Sequence, residues 1–319
     1  MMGWSVIART QVRRERWPGG RLASVMPLVA VGQDVSPDQP VMRLERAFPA
    51  QAMSSGASQS TAMIAQQENE VVPAGLRGRV MEITTRGGVV IEGRAAVVRG
   101  SFGAGNQVAG ILTMWQPSAA QDAAFAIPPG AILVVPTPIN LAFLRQAMVS
   151  GVVGVVASSI SLPDLEGFLN ADVIELLHSN SAEAVQSRLP SLTLLLTEGP
   201  GSFAMPPSIA ALLAHYQGSI ALLSGVTSVR QRITPELVIS LPLDESQEGW
   251  QPISPEPTIS LGAQVRVCSG DHEGAIGTVA YLFTHDQVFL SGIRAPAAYL
   301  RLENGSPLVI PLALIERIM

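Results

Sequence analysis

Lysine is absent from the chain: all 20 basic residues are arginine. That absence excludes chemistry needing a side-chain amine, such as Schiff-base catalysis or the lysine of a phosphate-binding P-loop. Cysteine is reduced to Cys268, which excludes an internal disulfide framework and a cysteine-cluster metal site. The four histidines, His178, His215, His272 and His285, include no pair at metal-ligand spacing. On these grounds no metal or cofactor is expected, and the chain reads as a protein of a reducing cytoplasm. Charged residues are scarce, at 14% of 319, yet no uninterrupted apolar run reaches the length of about 18 that a membrane helix needs. The nearest, Ala123 to Leu144, is broken by Pro128, Pro129, Pro136 and Pro138. The start does not read as a signal peptide, because the first apolar run is only Val6-Ile7-Ala8 and five arginines follow from Arg9 to Arg21.

What is present is apolar bulk, 47% of the chain, over a length that accommodates two or three domains. Charge is unevenly spread. Residues 1–118 carry 12 arginines against 8 acidic residues, residues 119–257 carry 4 against 12, and residues 258–319 carry 4 against 5. Such asymmetry marks either an acidic or nucleic-acid partner for the N-terminal part or two regions that face each other. Arg9, Arg13, Arg14, Arg16 and Arg21, interleaved with Trp4 and Trp17, are the candidate phosphate contacts.

Taken in order, residues 1–118 show short strands separated by glycine turns, such as Gly78 to Ile83, Gly88 to Gly93 and Ala95 to Val98. Residues 48–70, rich in Ser, Ala and Gln, predict a mobile loop. From Ile127 the rhythm changes. Continuous apolar runs at Ala131 to Val135, Val152 to Ala157 and Leu192 to Leu196 alternate with helical segments at Asn140 to Ser150, Pro163 to Leu169 and Pro207 to Gln217. Alternating strands and helices predict βαβ units and a mainly parallel sheet over residues 119–243. Residues 244–257, rich in proline, predict a linker.

Two alternating runs near the C-terminus, Val265-Arg266-Val267 and Ile276 to Leu282, flank a turn holding Gly270 and Gly274. Gly277 sits inside the second run, where glycine marks a bulge or close backbone approach. On Val265, Val267, Gly270, Gly274, Gly277 and Val279, residues 258–319 resemble a KOW module, the SH3-like barrel of certain ribosomal proteins and NusG-type elongation factors. The resemblance implies a small β-barrel and a protein or ribonucleoprotein partner. The turn Gly270-Asp271-His272-Glu273-Gly274 carries carboxylates where RNA-binding relatives carry cations, which opposes phosphate contact. Arg266, Arg294 and Arg301 could still form a patch there, and Cys268 reads as a small buried hydrophobe. Asn304-Gly305 predicts a hairpin turn. Near the N-terminus, Gly32-Gln33-Asp34-Val35 is similar to the corner of a lipoyl-like barrel-sandwich fold. Without a lysine to take a cofactor, such a fold is a scaffold.

In an α/β sheet, ligands collect beyond the carboxyl ends of parallel strands. The residues expected there are Ser158, Ser159, Glu198, Gly199, Gly201 and Thr227, with Arg230 following. They suit a small anionic ligand, with Glu198 as a candidate base. The same residue types also cap helices and make turns, which is their commoner use. No nucleophile and base pair accompanies them, so no reaction class and no catalytic residue follow. The sequence thus predicts a multidomain α+β chain: an all-β, barrel-like part, a central α/β part and a C-terminal SH3-like barrel. It reads as a non-enzymatic adaptor, with a small anionic ligand on the α/β loops as the alternative.

Overall fold

The N-terminal third lays down seven strands: β1 (Val6–Arg16), β2 (Leu22–Pro27), β3 (Asp34–Val35), β4 (Pro40–Arg46), β5 (Asn69–Pro73), β6 (Gly78–Ile83) and β7 (Val89–Arg99). These come from a computed structural model, which describes residues 6–19, 22–46, 69–115, 128–178, 189–228, 231, 233–242, 259–268 and 270–317. The predicted linker at 244–257 and most of the predicted loop at 48–70 lie outside the described residues. Strands β2, β4 and β5 form a three-stranded antiparallel sheet. It packs over β1, β6 and β7 through Val41, Met42, Leu44, Val72, Val80, Val89 and Ile91.

Next come β8 (Phe102–Ala104), β9 (Gln107–Met114), β10 (Ala131–Val135), α1 (Leu141–Val149), β11 (Gly154–Ile160), α2 (Leu162–Leu169), α3 (Val173–His178), β12 (Thr193–Pro200), α4 (Pro207–His215), β13 (Ile220–Ser224) and β14 (Glu236–Ser240). The predicted helices form, two of them on side-chain caps. Asn140 accepts the Phe143 N–H at 2.9 Å and starts α1, and Gly151 closes it at φ 74°. Ser161 accepts the Asp164 N–H and starts α2, with proline in its first turn.

Strands β9, β10, β11 and β12 are parallel neighbours. Strands β10, β11 and β12 are buried on both faces over most of their length, which is why their sequences run apolar without alternation. Leu133, Val135, Val155, Ala157, Leu194 and Leu196 point at α1, α2 and α3. Ile132, Val134, Val156 and Leu195 point the other way, with Ile209 and Leu213 of α4. Each such buried Leu or Ile contributes roughly 1.5–3 kcal/mol.

The sheet does not stop at the α/β part. It has 11 strands, in the order β3-β6-β7-β14-β13-β9-β10-β11-β12-β8, with β1 also on β7. Only the four strands from β9 to β12 are parallel, and the sheet is mixed rather than mainly parallel. The boundary read at 118/119 falls between β9 and β10, which are hydrogen-bonded neighbours. The composition shift there records helices joining the sheet, while the sheet itself continues.

Strand β7 joins the two regions. Its Val89 and Ile91 end serves the N-terminal core, and its Ala96 and Val98 serve the core under α4. One edge pairs with β1 along nearly its whole length. The other edge pairs with β6 over Val89–Glu92 and with β14 over Ala95–Arg99, end to end. At the junction, backbones nearly touch: a Cβ on Gly93 would lie 1.9 Å from the Arg77 carbonyl oxygen, and one on Gly78 would lie 2.0 Å from that of Glu92.

The C-terminal strands are β15 (Gln264–Val267), β16 (Ile276–Leu282), β17 (Gln287–Val288), β18 (Arg294–Ala295), β19 (Ala297–Leu302), β20 (Pro307–Pro311) and β21 (Ile315–Arg317). Five form an antiparallel sheet in the order β20-β19-β16-β15-β21, and β17 pairs with β18 alone. Asn304-Gly305 makes the β19–β20 turn, with Gly305 at φ 82° and the Ser306 N–H bonded to Asn304 Oδ1 at 2.9 Å. Val265, Val267, Val279, Leu300 and Ile315 fill a core of their own. Among the described residues no helix is long and apolar enough to cross a membrane.

The close approach at the junction gives a direct test. Gly93→Ala should cost roughly 3 kcal/mol, because only backbone can move aside. Gly32→Ala, at φ 86° in open space, should cost only about 1 kcal/mol of left-handed strain. Urea denaturation of both variants would check the order, and equal losses would contradict the packing account.

Candidate functional site

At the carboxyl end of the parallel strands, β11 and β12 lose register between Ala157 and Ser159. Beyond the bulge, Gly199 at φ 86° and Gly201 at φ 147° turn the chain. Both positions favour glycine, and a Cβ on Gly201 would also strike the Phe203 ring at 2.4 Å. The turn brings Phe203 back over the strand ends. Ser159 Oγ accepts from the Phe203 N–H at 2.8 Å and donates to the Phe203 carbonyl at 2.9 Å. Thr227 Oγ1 does the same for Gly103, accepting from its N–H and donating to its carbonyl, both at 2.9 Å. Ser158 is fully buried. Arg230 lies outside the described residues.

The predicted anion loops are therefore occupied by the protein itself. Ser159 and Thr227 are backbone anchors, Gly199 and Gly201 are turn residues, and Glu198 faces a cation from another part of the chain. Arg266, on β15, reaches across and donates from Nη1 to Glu198 Oε1 at 2.5 Å and to the Thr197 carbonyl at 3.4 Å. Its Nη2 pairs with Glu316 of β21. Side-chain exposure is 9% for Arg266, 5% for Glu198 and 19% for Glu316. Beside this triad, the Phe203 ring lies 3.5 Å from where a Cβ on Gly274 would sit.

Burial raises the Glu198 carboxyl above the usual carboxylate range, and the Arg266 charge only partly offsets it. Burial alone would lower the Arg266 guanidinium, but the Glu316 and Glu198 carboxylates reverse that and raise it. Arg266 with these partners is a structural cation, and the Glu198 carboxylate is held by it. Nearby Cys268 is exposed, not the small buried hydrophobe expected. Even so, desolvation of the thiol and then the Glu316 charge push it up to about 12, which leaves it a weak nucleophile at neutral pH.

The runs at Val265 and Ile276 are paired antiparallel strands on either side of the turn. Val265, Val267 and Val279 are buried. Gly270 and Gly274 are left-handed, and Gly277 lies where a Cβ would meet the Arg301 carbonyl at 2.9 Å. Arg266 is withdrawn from the basic patch that the sequence allowed it.

The N-terminal arginines do not form one phosphate track. Arg9, Arg13, Arg14 and Arg16 lie on strand β1, where successive side chains point to opposite faces. Arg9 is exposed, and Arg13 pairs with Glu82 at 3.0 Å on the surface. Arg14 is bidentate to Glu236, at 2.5 and 2.8 Å. Arg16 points inward, donating to the Pro73 carbonyl at 2.9 Å and to Gln107 Oε1 at 2.9 Å, and burial lowers it to about 10. It is a buried structural cation and not a phosphate contact. Arg21 and Trp4 lie outside the described residues. The Trp17 ring is covered by the Arg86 guanidinium at 4.6 Å.

Sequence reading missed the Arg266 triad. The signal was present: an arginine inside the alternation Val265-Arg266-Val267 points to the face opposite the core that the two valines fill. Its partners, 68 and 50 residues away, could not be paired with it from spacing.

Removing Arg266 leaves two buried carboxylates without a counter-charge, so Arg266→Ala should cost about 3–5 kcal/mol, read from chemical denaturation. The pH dependence has a definite sign. Glu198 binds its proton more tightly folded than unfolded, so its charge opposes folding increasingly as pH rises above the unfolded value of 4.5. The stability of Glu198→Gln relative to the natural chain should therefore rise between pH 4 and pH 7. A fall over that window would mean that attraction to Arg266 outweighs desolvation. Compared with family models, curated proteins and solved structures, the chain matches none.

Proposed function

We propose that the chain is a non-enzymatic adaptor whose five C-terminal strands are an SH3-like barrel of KOW type, and that this barrel contacts a protein. One observation carries the reading: the β17–β18 hairpin presents bare apolar side chains. Val288, Leu290 and Ile293 are 63%, 111% and 61% exposed. The tip is shaped by Gly292 at φ 80°, whose N–H bonds the Phe289 carbonyl at 2.8 Å, and by the Phe289 N–H on the Ile293 carbonyl at 3.0 Å. Exposed apolar residues scattered singly are ordinary, but three on one short hairpin suit an interaction surface. Tyr281, 49% exposed, stacks edge-on with Phe283 at 5.2 Å on the strand leading into the hairpin.

The chemistry supports protein over RNA. Arg266 is held in its triad, leaving Arg294 and Arg301 as exposed cations of this region, against Asp271 and Glu273 on the first turn. Phosphate binding grows with the number of cation contacts, and few are offered. The N-terminal strands serve as a scaffold in the same reading, in keeping with the lipoyl-like corner at Gly32 to Val35 and with the absence of lysine.

The test uses the full chain with Val288→Ser, Leu290→Ser and Ile293→Ser combined. Melting temperature should hold, because these residues bury little. Affinity for the natural partner should fall by about a hundredfold or more, at roughly 1.5–3 kcal/mol per buried apolar side chain. Recovery of the same partner by both proteins, or recovery of RNA as the partner, would reject the reading.

A further inference from the structure

A second feature lies at the junction on β7 where β6 begins and β14 ends. A groove of about 790 Å³ opens there, lined by Gln11, Ser36, Gln39, Arg77, Arg79 and Arg94 among others. It is of the size that takes a small-molecule ligand. Its origin is topological. Strands β6 and β14 share one edge of β7, and Gly93 and Arg94 pair in register with neither. Arg77, just ahead of β6, is pinned by its own N–H to Ser240 Oγ at 3.1 Å, at the end of β14. The Leu241 N–H reaches the Arg94 carbonyl at 3.5 Å from the same end. The fold thus holds the Arg77 backbone at the groove by contacts that do not use its side chain.

The guanidinium of Arg77 is the unusual group. Its Nε is buried and has no hydrogen-bond partner. The neighbouring charges are already engaged. Arg79 is bidentate to Asp34, at 2.9 and 3.2 Å. Glu92 accepts from Gln11 Nε2 at 2.8 Å. Asp38, within electrostatic reach of Arg77, accepts from the Ser36 hydroxyl at 2.7 Å. A desolvated donor without an acceptor is costly to keep, and a guanidinium suits a planar or tetrahedral oxyanion.

We infer that this groove binds a small anionic ligand through Arg77, by a carboxylate or phosphate group, with Gln11 and Gln39 as neutral polar contacts. The site is independent of the adaptor reading, since it uses no residue of the C-terminal strands. It also differs from the α/β strand ends, where Ser159 and Thr227 bond backbone and Glu198 is paired with Arg266.

The experiment is calorimetric titration of the full chain with citrate and, separately, with pyrophosphate, at constant ionic strength. Saturable binding of either probe is expected, and the stronger of the two identifies the group recognised. Arg77→Gln should weaken it by about tenfold or more, as loss of a charge-assisted hydrogen bond requires. Arg301→Gln, at an exposed position of β19, should leave it unchanged. Arg77→Lys, which keeps the charge but not the Nε donor, should fall between the two. Absence of saturable binding by the natural chain, or equal losses in Arg77→Gln and Arg301→Gln, would overturn the inference. So would binding by Arg77→Gln at full strength with an unchanged melting temperature.

Discussion

A strand inside a sheet has two edges of backbone donors and acceptors, and each group left unpaired away from water costs free energy. Strand β7 is 11 residues long, longer than either strand on its second edge. It satisfies that edge with two partners placed end to end, β6 and β14. Much of the molecule follows from this. The two partners come from different parts of the chain, so the N-terminal strands and the α/β strands cannot be separate bodies. The glycines at 78 and 93 are the steric condition for the arrangement, since any Cβ there would overlap a carbonyl oxygen.

The C-terminal strands are attached by different means. A buried arginine between two carboxylates is poor stabilisation, because desolvating three charges offsets most of their attraction. Its value is geometric. A planar guanidinium with one carboxylate on each terminal nitrogen fixes direction as well as distance. Glu198 sits on one sheet and Glu316 on the other, so Arg266 sets how β15 and β21 meet the ends of the parallel strands. Phe203 against Gly274 supplies the apolar part of the same contact.

Local features were legible in the sequence. The caps at Asn140 and Ser161, the left-handed glycines, the Asn304-Gly305 turn and the strands of residues 264–310 all follow from short-range chemistry. Long-range pairing was not. Nothing near Val89 to Arg99 says that β14, some 140 residues later, will lie beside it. The same limit explains the arginines. Alternation along β1 separates Arg13 from Arg14 and Arg16, but which face is inside depends on strands elsewhere. Ser158, Ser159 and Glu198 lie within the last residues of β11 and β12, whereas Thr227 follows β13, which runs antiparallel to β9. The Ser159 and Thr227 hydroxyls turn to the backbone of Phe203 and Gly103, partners that adjacency in sequence does not reveal. Cys268 failed for the converse reason: an apolar neighbour pattern gave burial, while a chain turn exposed it.

The place where an α/β sheet ordinarily receives a ligand is held by a residue of the same polypeptide. Covalent attachment gives Arg266 an effective concentration on the order of millimolar at Glu198. A free guanidinium or amine at micromolar level therefore loses the competition by mass action alone. Glu198 is in practice liganded by its own chain, and its pairing is a property of the fold rather than of the surrounding solution.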